Sequence, residues 1–101
     1  MNRFAIITNS AGNTEAAATK DQRDLITGFL EGNGWHVWHW FEDLWLVVTP
    51  DNEQMTLSTL HGKIQENIKG HFVFVVIELA PKSLAGFIPT AAVPWLKRHW
   101  E

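Results

Sequence analysis

The sequence predicts an α+β fold in which two helices pack on one face of a four-stranded antiparallel sheet. Residues 35–49 alternate with period two on both sides of Phe41-Glu42-Asp43, which is typical of a two-stranded hairpin. One short apolar run precedes this hairpin and another follows it. A segment with helically spaced apolar residues separates each run from the hairpin. With 101 residues, of which 46% are hydrophobic, we expect a single domain spanning residues 1–101.

The first strand and the first helix occupy residues up to Gly34. Residues 4–8 are apolar and end in a dense turn signal at residues 9–13, which indicates a buried strand. Thr19 with Gln22 three residues later fits a capping box, so a helix begins there, or one turn earlier at Thr14. Gly32-Asn33-Gly34 ends this helix, because these residues tolerate left-handed backbone conformations.

The hairpin strands predict which side chains share a face of the sheet. On the first strand, one face carries Trp35, Val37 and His39, and the other carries His36, Trp38 and Trp40. On the second strand, the same alternation separates Leu44, Leu46 and Val48 from Trp45, Val47 and Thr49. Pro50 breaks the second strand.

The second half of the chain contains a helix, a strand and a tail. Apolar residues at helical spacing predict a helix over residues 56–69, and Gly70 stops it. Residues 71–79 form the most apolar strand, with Phe72, Phe74 and Val76 on one side. The tail, residues 80–101, contains a short extended piece at 86–89 and a helix at 90–99, in which Pro94 is tolerated near the first turn.

The predicted order is strand, helix, strand, strand, helix, strand and tail, which is the ferredoxin-like βαββαβ arrangement. Right-handed crossovers place both helices on one face of the sheet. The strands are nevertheless apolar on both faces, and a monomer rarely leaves so much apolar surface bare. We expect the tail and a second copy of the chain to cover the second face together; a tail that folds back alone is the alternative. The predicted interface comprises Trp38, Trp40, Trp45, Phe72, Phe74, Phe87 and Trp95.

Composition restricts the classes of partner. The net charge of −3 argues against electrostatic binding of nucleic acid by the protein surface as a whole, though not against binding by a local basic patch. The absence of cysteine excludes a disulfide framework and a thiolate zinc site. No apolar run approaches the roughly 20 residues of a membrane helix. The apolar run among the first residues is too short for a signal peptide. We therefore expect a cytoplasmic protein with no membrane partner.

Four features in order resemble the SinR-like family, small ferredoxin-like relatives of the second CRISPR-associated (Cas) protein family. They are Gly34-Trp35 leading into Trp38-His39-Trp40, the run Leu44-Trp45-Leu46-Val47, the apolar strand at 72–78, and the tail from Gly86-Phe87-Ile88-Pro89 through Ala92-Val93-Pro94-Trp95-Leu96. The resemblance implies a homodimer whose tail crosses toward the partner. Among the CRISPR relatives, some bridge DNA in an integration complex, and some members are metal-dependent nucleases.

The end of the first strand departs from that family pattern. The relatives commonly place there an aspartate that is proposed to bind metal, and the matching residue here is Asn9, followed by Ser10. An amide is a poor substitute for a carboxylate in holding Mg²⁺. We therefore expect a non-catalytic homodimeric assembly or adaptor module that needs no cofactor, with nucleic acid as a candidate partner. The alternative is a divalent-metal-dependent endonuclease, with Asn9 and Ser10 as its candidate site residues and Mg²⁺ as its metal.

Other polar groups predict little chemistry. His36 and His39 lie on opposite faces of a strand and cannot converge on one metal ion without a bulge. Turn propensity explains Glu42-Asp43, and the loop at 9–13 lacks the lysine of a P-loop. The tryptophans of residues 35–49 have no interleaved lysine or arginine, so packing explains them better than base stacking. A modest phosphate-contacting patch would need the fold to bring together Lys63, Lys69, Lys82, Lys97 and Arg98.

Overall fold

A computed structural model describes residues 2–9, 17–50, 54–68, 72–81 and 90–100. The elements, in chain order, are β1 (Asn2–Thr8), α1 (Lys20–Gly32), β2 (His36–Phe41), β3 (Leu44–Thr49), α2 (Leu57–Asn67), β4 (Phe74–Leu79), a 3₁₀ turn (Thr90–Ala92) and α3 (Val93–His99). The four strands form one antiparallel sheet in the order β2-β3-β1-β4. The fold is therefore α+β, and its architecture is compatible with the ferredoxin-like arrangement.

Local sequence signals account for the helix ends. Thr19 accepts a hydrogen bond from the backbone of Gln22, whose side chain accepts one from the backbone of Thr19, so the predicted capping box is present. Thr56 caps α2 by accepting a hydrogen bond from the backbone N–H of Thr59. After α1, Gly34 adopts a φ of 76°, a left-handed conformation that glycine permits at little cost.

The first face of the sheet, here called the helix face, packs against α1 and α2. Phe4 and Ile6 of β1 and Trp45 and Val47 of β3 are fully buried in this core. The helices contribute Ile26, Leu30, Leu60 and Ile64. Two helices on one face agree with the expectation from right-handed crossovers.

The opposite face, here called the α3 face, packs against the tail of the same chain. Ala5, Leu46 and Val48 of the sheet are buried there together with Leu96 and Trp100. Pro94 lies in the first turn of α3, as its missing N–H requires. The tail thus folds back on its own sheet, which is the alternative that needed no second copy. The predicted extended piece at residues 86–89 lies outside the described residues.

Antiparallel register divides the α3 face into three transverse rows. The first row is His36, Val48, Arg3 and Leu79, and the second is Trp38, Leu46, Ala5 and Ile77. The third row is Phe41, Leu44, Ile7 and Val75. The buried sheet residues under α3 belong to the first two rows, and Leu44 of the third row is partly buried against them. The other three residues of the third row are exposed.

Candidate functional site: an uncovered apolar stripe

The third row of the α3 face is apolar across the whole width of the sheet and open to solvent. Phe41 on the edge strand β2 is 51% exposed, Ile7 on the central strand β1 is 40% exposed, and Val75 on the edge strand β4 is 49% exposed. Leu44 completes the row and is half-buried. With the exposed neighbours Trp40, Val73 and Ile77, these residues are the apolar stripe.

A β-bulge in β2 brings Phe41 into the stripe. Trp38 pairs with Leu46 and Phe41 pairs with Leu44, so two residues of β2, His39 and Trp40, oppose a single residue of β3. Directly paired residues share a face, so Phe41 lies on the α3 face with Leu44. The sequence placed Phe41 in the turn, whereas the strand extends to Phe41; strict alternation along β2 would put its side chain on the other face. The rings of Trp40 and Phe41 lie 6.5 and 5.7 Å from that of Trp38, so the bulge gathers three aromatic side chains at this edge.

The exposed part of the stripe has the size of half a protein interface. A fully buried aromatic side chain removes about 150–250 Å² from water, and an aliphatic one about 60–120 Å² from its transfer energy. The six exposed members are roughly half covered, which leaves about 400 Å² of apolar surface in each copy. A standard interface buries about 800 Å² per partner, somewhat more than half of it apolar. Apolar patches of this size on a monomer are often functional.

The described residues predicted for the interface divide into three groups, and a seventh residue lies outside the described part of the chain. Trp40 lies in the stripe, whereas Trp38 and Trp95 pack on the α3 side within the same chain. Trp45 is fully buried in the helix-face core, where its indole N–H donates to the Thr27 hydroxyl at 2.9 Å. Phe72 and Phe74 pack against that same core, and Phe87 lies outside the described residues. The sequence did not single out Ile7, Phe41 or Val75 for the interface.

The end of β1, where the alternative nuclease site was predicted, is tied to the hairpin turn. The hydroxyl of Thr8 donates to a carboxylate oxygen of Asp43 at 2.6 Å, and the Thr8 N–H donates to the Asp43 carbonyl at 2.9 Å. The carbonyl of Asn9 accepts from the N–H of Ala18, and Ser10 lies outside the described residues. Within the residues that the structure describes, no group of three His, Asp or Glu side chains is placed to hold a metal ion.

The histidines of β2 lie on opposite faces, as the alternation predicted. The ring of His36 stacks on that of His99 from α3, with centroids 3.8 Å apart. The ring of His39 stacks on Trp45 on the helix face, and its Nδ1 lies 2.9 Å from the Leu44 carbonyl oxygen. Burial lowers the pKa of His99 below its usual value of 6.5, and the nearby charges of His36 and Arg98 lower it further.

The described basic residues of the predicted patch do not come together. Lys63 lies on α2, on the helix-face side of the sheet, whereas Lys97 and Arg98 lie on α3 on the other side. Lys69 and Lys82 lie outside the described residues. A separate open cleft of about 400 Å³ between α2 and β4 is lined by Leu57, Ser58, His61 and Val76, and it brings no charged pair together.

Comparisons of the chain with protein-family models, curated proteins and solved structures find no match. None of the helices among the described residues is long and apolar enough to cross a membrane.

Proposed function

We propose that this protein is a ferredoxin-like homodimer, in which the apolar stripes of two copies face each other, and that it works as a non-catalytic assembly or adaptor module in the cytoplasm. The observation that carries the proposal is the exposed row of Phe41, Ile7 and Val75 across the sheet. The ferredoxin-like assignment rests on the βαββαβ order and on α1 and α2 sharing one face.

A second copy suits the stripe because a twofold interface must be self-complementary. All seven members of the stripe are uncharged and apolar, so two copies meet without placing like charges opposite each other. About 400 Å² of apolar surface per copy matches the apolar share of a standard interface. The two stripes can therefore cover each other's apolar surface without a further partner.

The position of α3 limits how the two copies overlap. In each copy, α3 packs over the rows that contain Arg3 and Ala5, and the stripe lies beyond it. Two sheets in face-to-face contact pack about 10 Å apart, which leaves no room for a helix between them. We therefore place the two stripes in contact, with the α3 helices at opposite outer ends of the dimer.

The assembly role follows from the resemblance to the SinR-like family, which rests on the residue pattern alone. The same resemblance makes nucleic acid a candidate partner of the dimer. A gel-shift titration at several salt concentrations tests this partner, because phosphate contacts weaken steeply as salt is added. Unchanged migration of RNA and duplex DNA at every protein concentration would remove it.

Light scattering on the full chain at micromolar concentration tests the dimer. The expected mass is twice the 11.5 kDa of one chain, and a mass of one chain would overturn the proposal. Incubation of the protein with RNA or duplex DNA, in the presence of Mg²⁺ or Mn²⁺, tests the nuclease alternative. We expect no cleavage; cleavage that is lost in Asn9→Ala would establish the alternative in place of the non-catalytic role.

A further inference from the structure

Arg3 is a mostly buried cation that binds a carbonyl at the C-terminal end of α3 and has no carboxylate partner among the described residues. Its side chain lies on the α3 face in the first row and is only 7% exposed. Its Nε donates to the carbonyl oxygen of His99 at 3.2 Å. Within the described part of the chain, this is the one hydrogen bond of its guanidinium, which carries five N–H donors. Among the described residues, the indole nitrogen of Trp38 is the buried side-chain nitrogen that lacks a hydrogen-bond partner, so the remaining nitrogens of Arg3 keep some contact with solvent.

Further basic groups gather at the same place. His36 belongs to the same transverse row as Arg3, and its ring stacks on that of His99. Arg98 precedes His99 on α3, and its positive charge acts on the ring of His99. The remaining members of the row, Val48 and Leu79, carry no charge.

From this cluster we infer a phosphate-binding site formed by Arg3, His36, Arg98 and His99. The unused N–H groups of Arg3 are donors with fork geometry, which suits phosphate oxygens. A phosphate group carries three or more acceptor oxygens and close to two negative charges at neutral pH. It therefore satisfies several cationic groups at once, whereas a carboxylate has only two oxygens to offer.

The site lies under the C-terminal end of α3 and is separate from the apolar stripe. The first row holds the site, whereas the stripe consists of the third row and its exposed neighbours, of which Ile77 belongs to the second row. Trp38, Leu46 and Ala5 of that second row are buried between the two. Phosphate binding therefore does not depend on the proposed dimer. His36 is exposed and gives the anion an entry from solvent.

Titration of the full chain with inorganic phosphate at constant ionic strength tests the site, with the ring Cε1 resonances of the histidines as the readout. We expect saturable shifts at His36 and His99 and a rise in the pKa of His99, because a bound anion stabilises the charged form of its ring. Binding should strengthen as the pH falls through the range in which the ring of His99 takes up a proton. Acetate should shift these resonances much less. A nucleoside 5′-monophosphate distinguishes a free anion from a nucleotide as the ligand, because only a nucleotide site binds it more tightly than phosphate.

Variants separate binding from structural effects. Arg3→Lys keeps the charge but loses the fork, and Arg98→Gln removes an exposed charge; we expect each to weaken phosphate binding about tenfold. Arg3→Lys also keeps a donor for the His99 carbonyl, and Arg98→Gln tests the site even if a change at Arg3 disturbs α3. Lys63→Gln on α2 is the matched control and should leave binding unchanged. The absence of saturable shifts, or equal affinity in the parent, Arg3→Lys and Arg98→Gln proteins, would overturn the inference.

Discussion

Replacement of Ile7 by lysine is expected to convert the proposed dimer into a folded monomer. Ile7 lies on the central strand β1, between Leu44 and Val75 in the stripe, and is 40% exposed in the single chain. A lysine at this position keeps its ammonium group in water in the monomer. In the proposed dimer, each of the two ammonium groups would face the apolar stripe of the other copy, between Leu44 and Val75.

The magnitude follows from the exposed fraction of the side chain. Full burial of an isoleucine contributes about 2 kcal/mol. The exposed 40% of Ile7 therefore contributes about 0.8 kcal/mol in each copy and about 1.6 kcal/mol in the dimer. Ile7→Ala should thus weaken the dimer about tenfold. Two buried, unpaired charges cost several kcal/mol each, so Ile7→Lys should weaken it at least about a thousandfold.

Sedimentation velocity over a range of protein concentrations measures these changes. The matched control is Leu25→Lys, because Leu25 is 54% exposed on α1, on the opposite side of the domain. It adds the same charge and should leave the dimer unchanged. Thermal unfolding should show that both lysine variants remain folded. A dimer of Ile7→Lys as stable as that of the parent chain would refute the reasoning, as would equal dissociation in both variants.

Three further predictions concern stability. Thr27→Val removes the acceptor of the buried Trp45 indole N–H and should lower the free energy of unfolding, measured in urea, by about 1–3 kcal/mol. Thr27→Ser keeps the hydroxyl and should retain most of the stability of the parent chain. Equal stability of the two variants would contradict this role of the hydrogen bond. Thr19→Ala removes the capping box of α1 and should cost about 1 kcal/mol, with Thr19→Ser as the control; a loss in Thr19→Ser as large as in Thr19→Ala would count against the cap. The pKa of His99 is lowered below 6.5 in the folded chain. As the pH falls below 6.5, the unfolded chain therefore binds more protons than the folded chain does. The parent should therefore lose stability over that range, and His99→Gln should lose less; parallel pH profiles would argue against this role of His99.

Much of the fold was predictable because its signals are local. The turn at Glu42-Asp43 and the capping box at Thr19 lie at the expected residues, and the second helix begins close to its predicted start. The alternation of β3 separates Trp45 from Leu46 as expected, with one residue in each core. These features depend on spacing within a few residues, which the sequence records directly.

The composition of the stripe was not predictable to the same degree. A single bulge places Phe41 on the face opposite to the one that strict alternation would give it. No residue type in β2 is a sequence signal for this bulge. The predicted interface consisted of large aromatic residues, yet Trp45 is fully buried in its own chain. The cluster around Arg3 and His99 joins residues 96 positions apart in sequence, so only the packing of α3 reveals it.

The most direct test of the proposed dimer is an isotope-filtered nuclear Overhauser experiment on a mixture of labelled and unlabelled chains. We predict contacts between copies from the Ile7 and Val75 methyl groups to the Phe41 ring and to stripe methyl groups, and none from the methyl groups of Leu25. Intermolecular contacts confined to α1 or α2, or no such contacts under conditions in which the chain sediments as a monomer, would contradict the account.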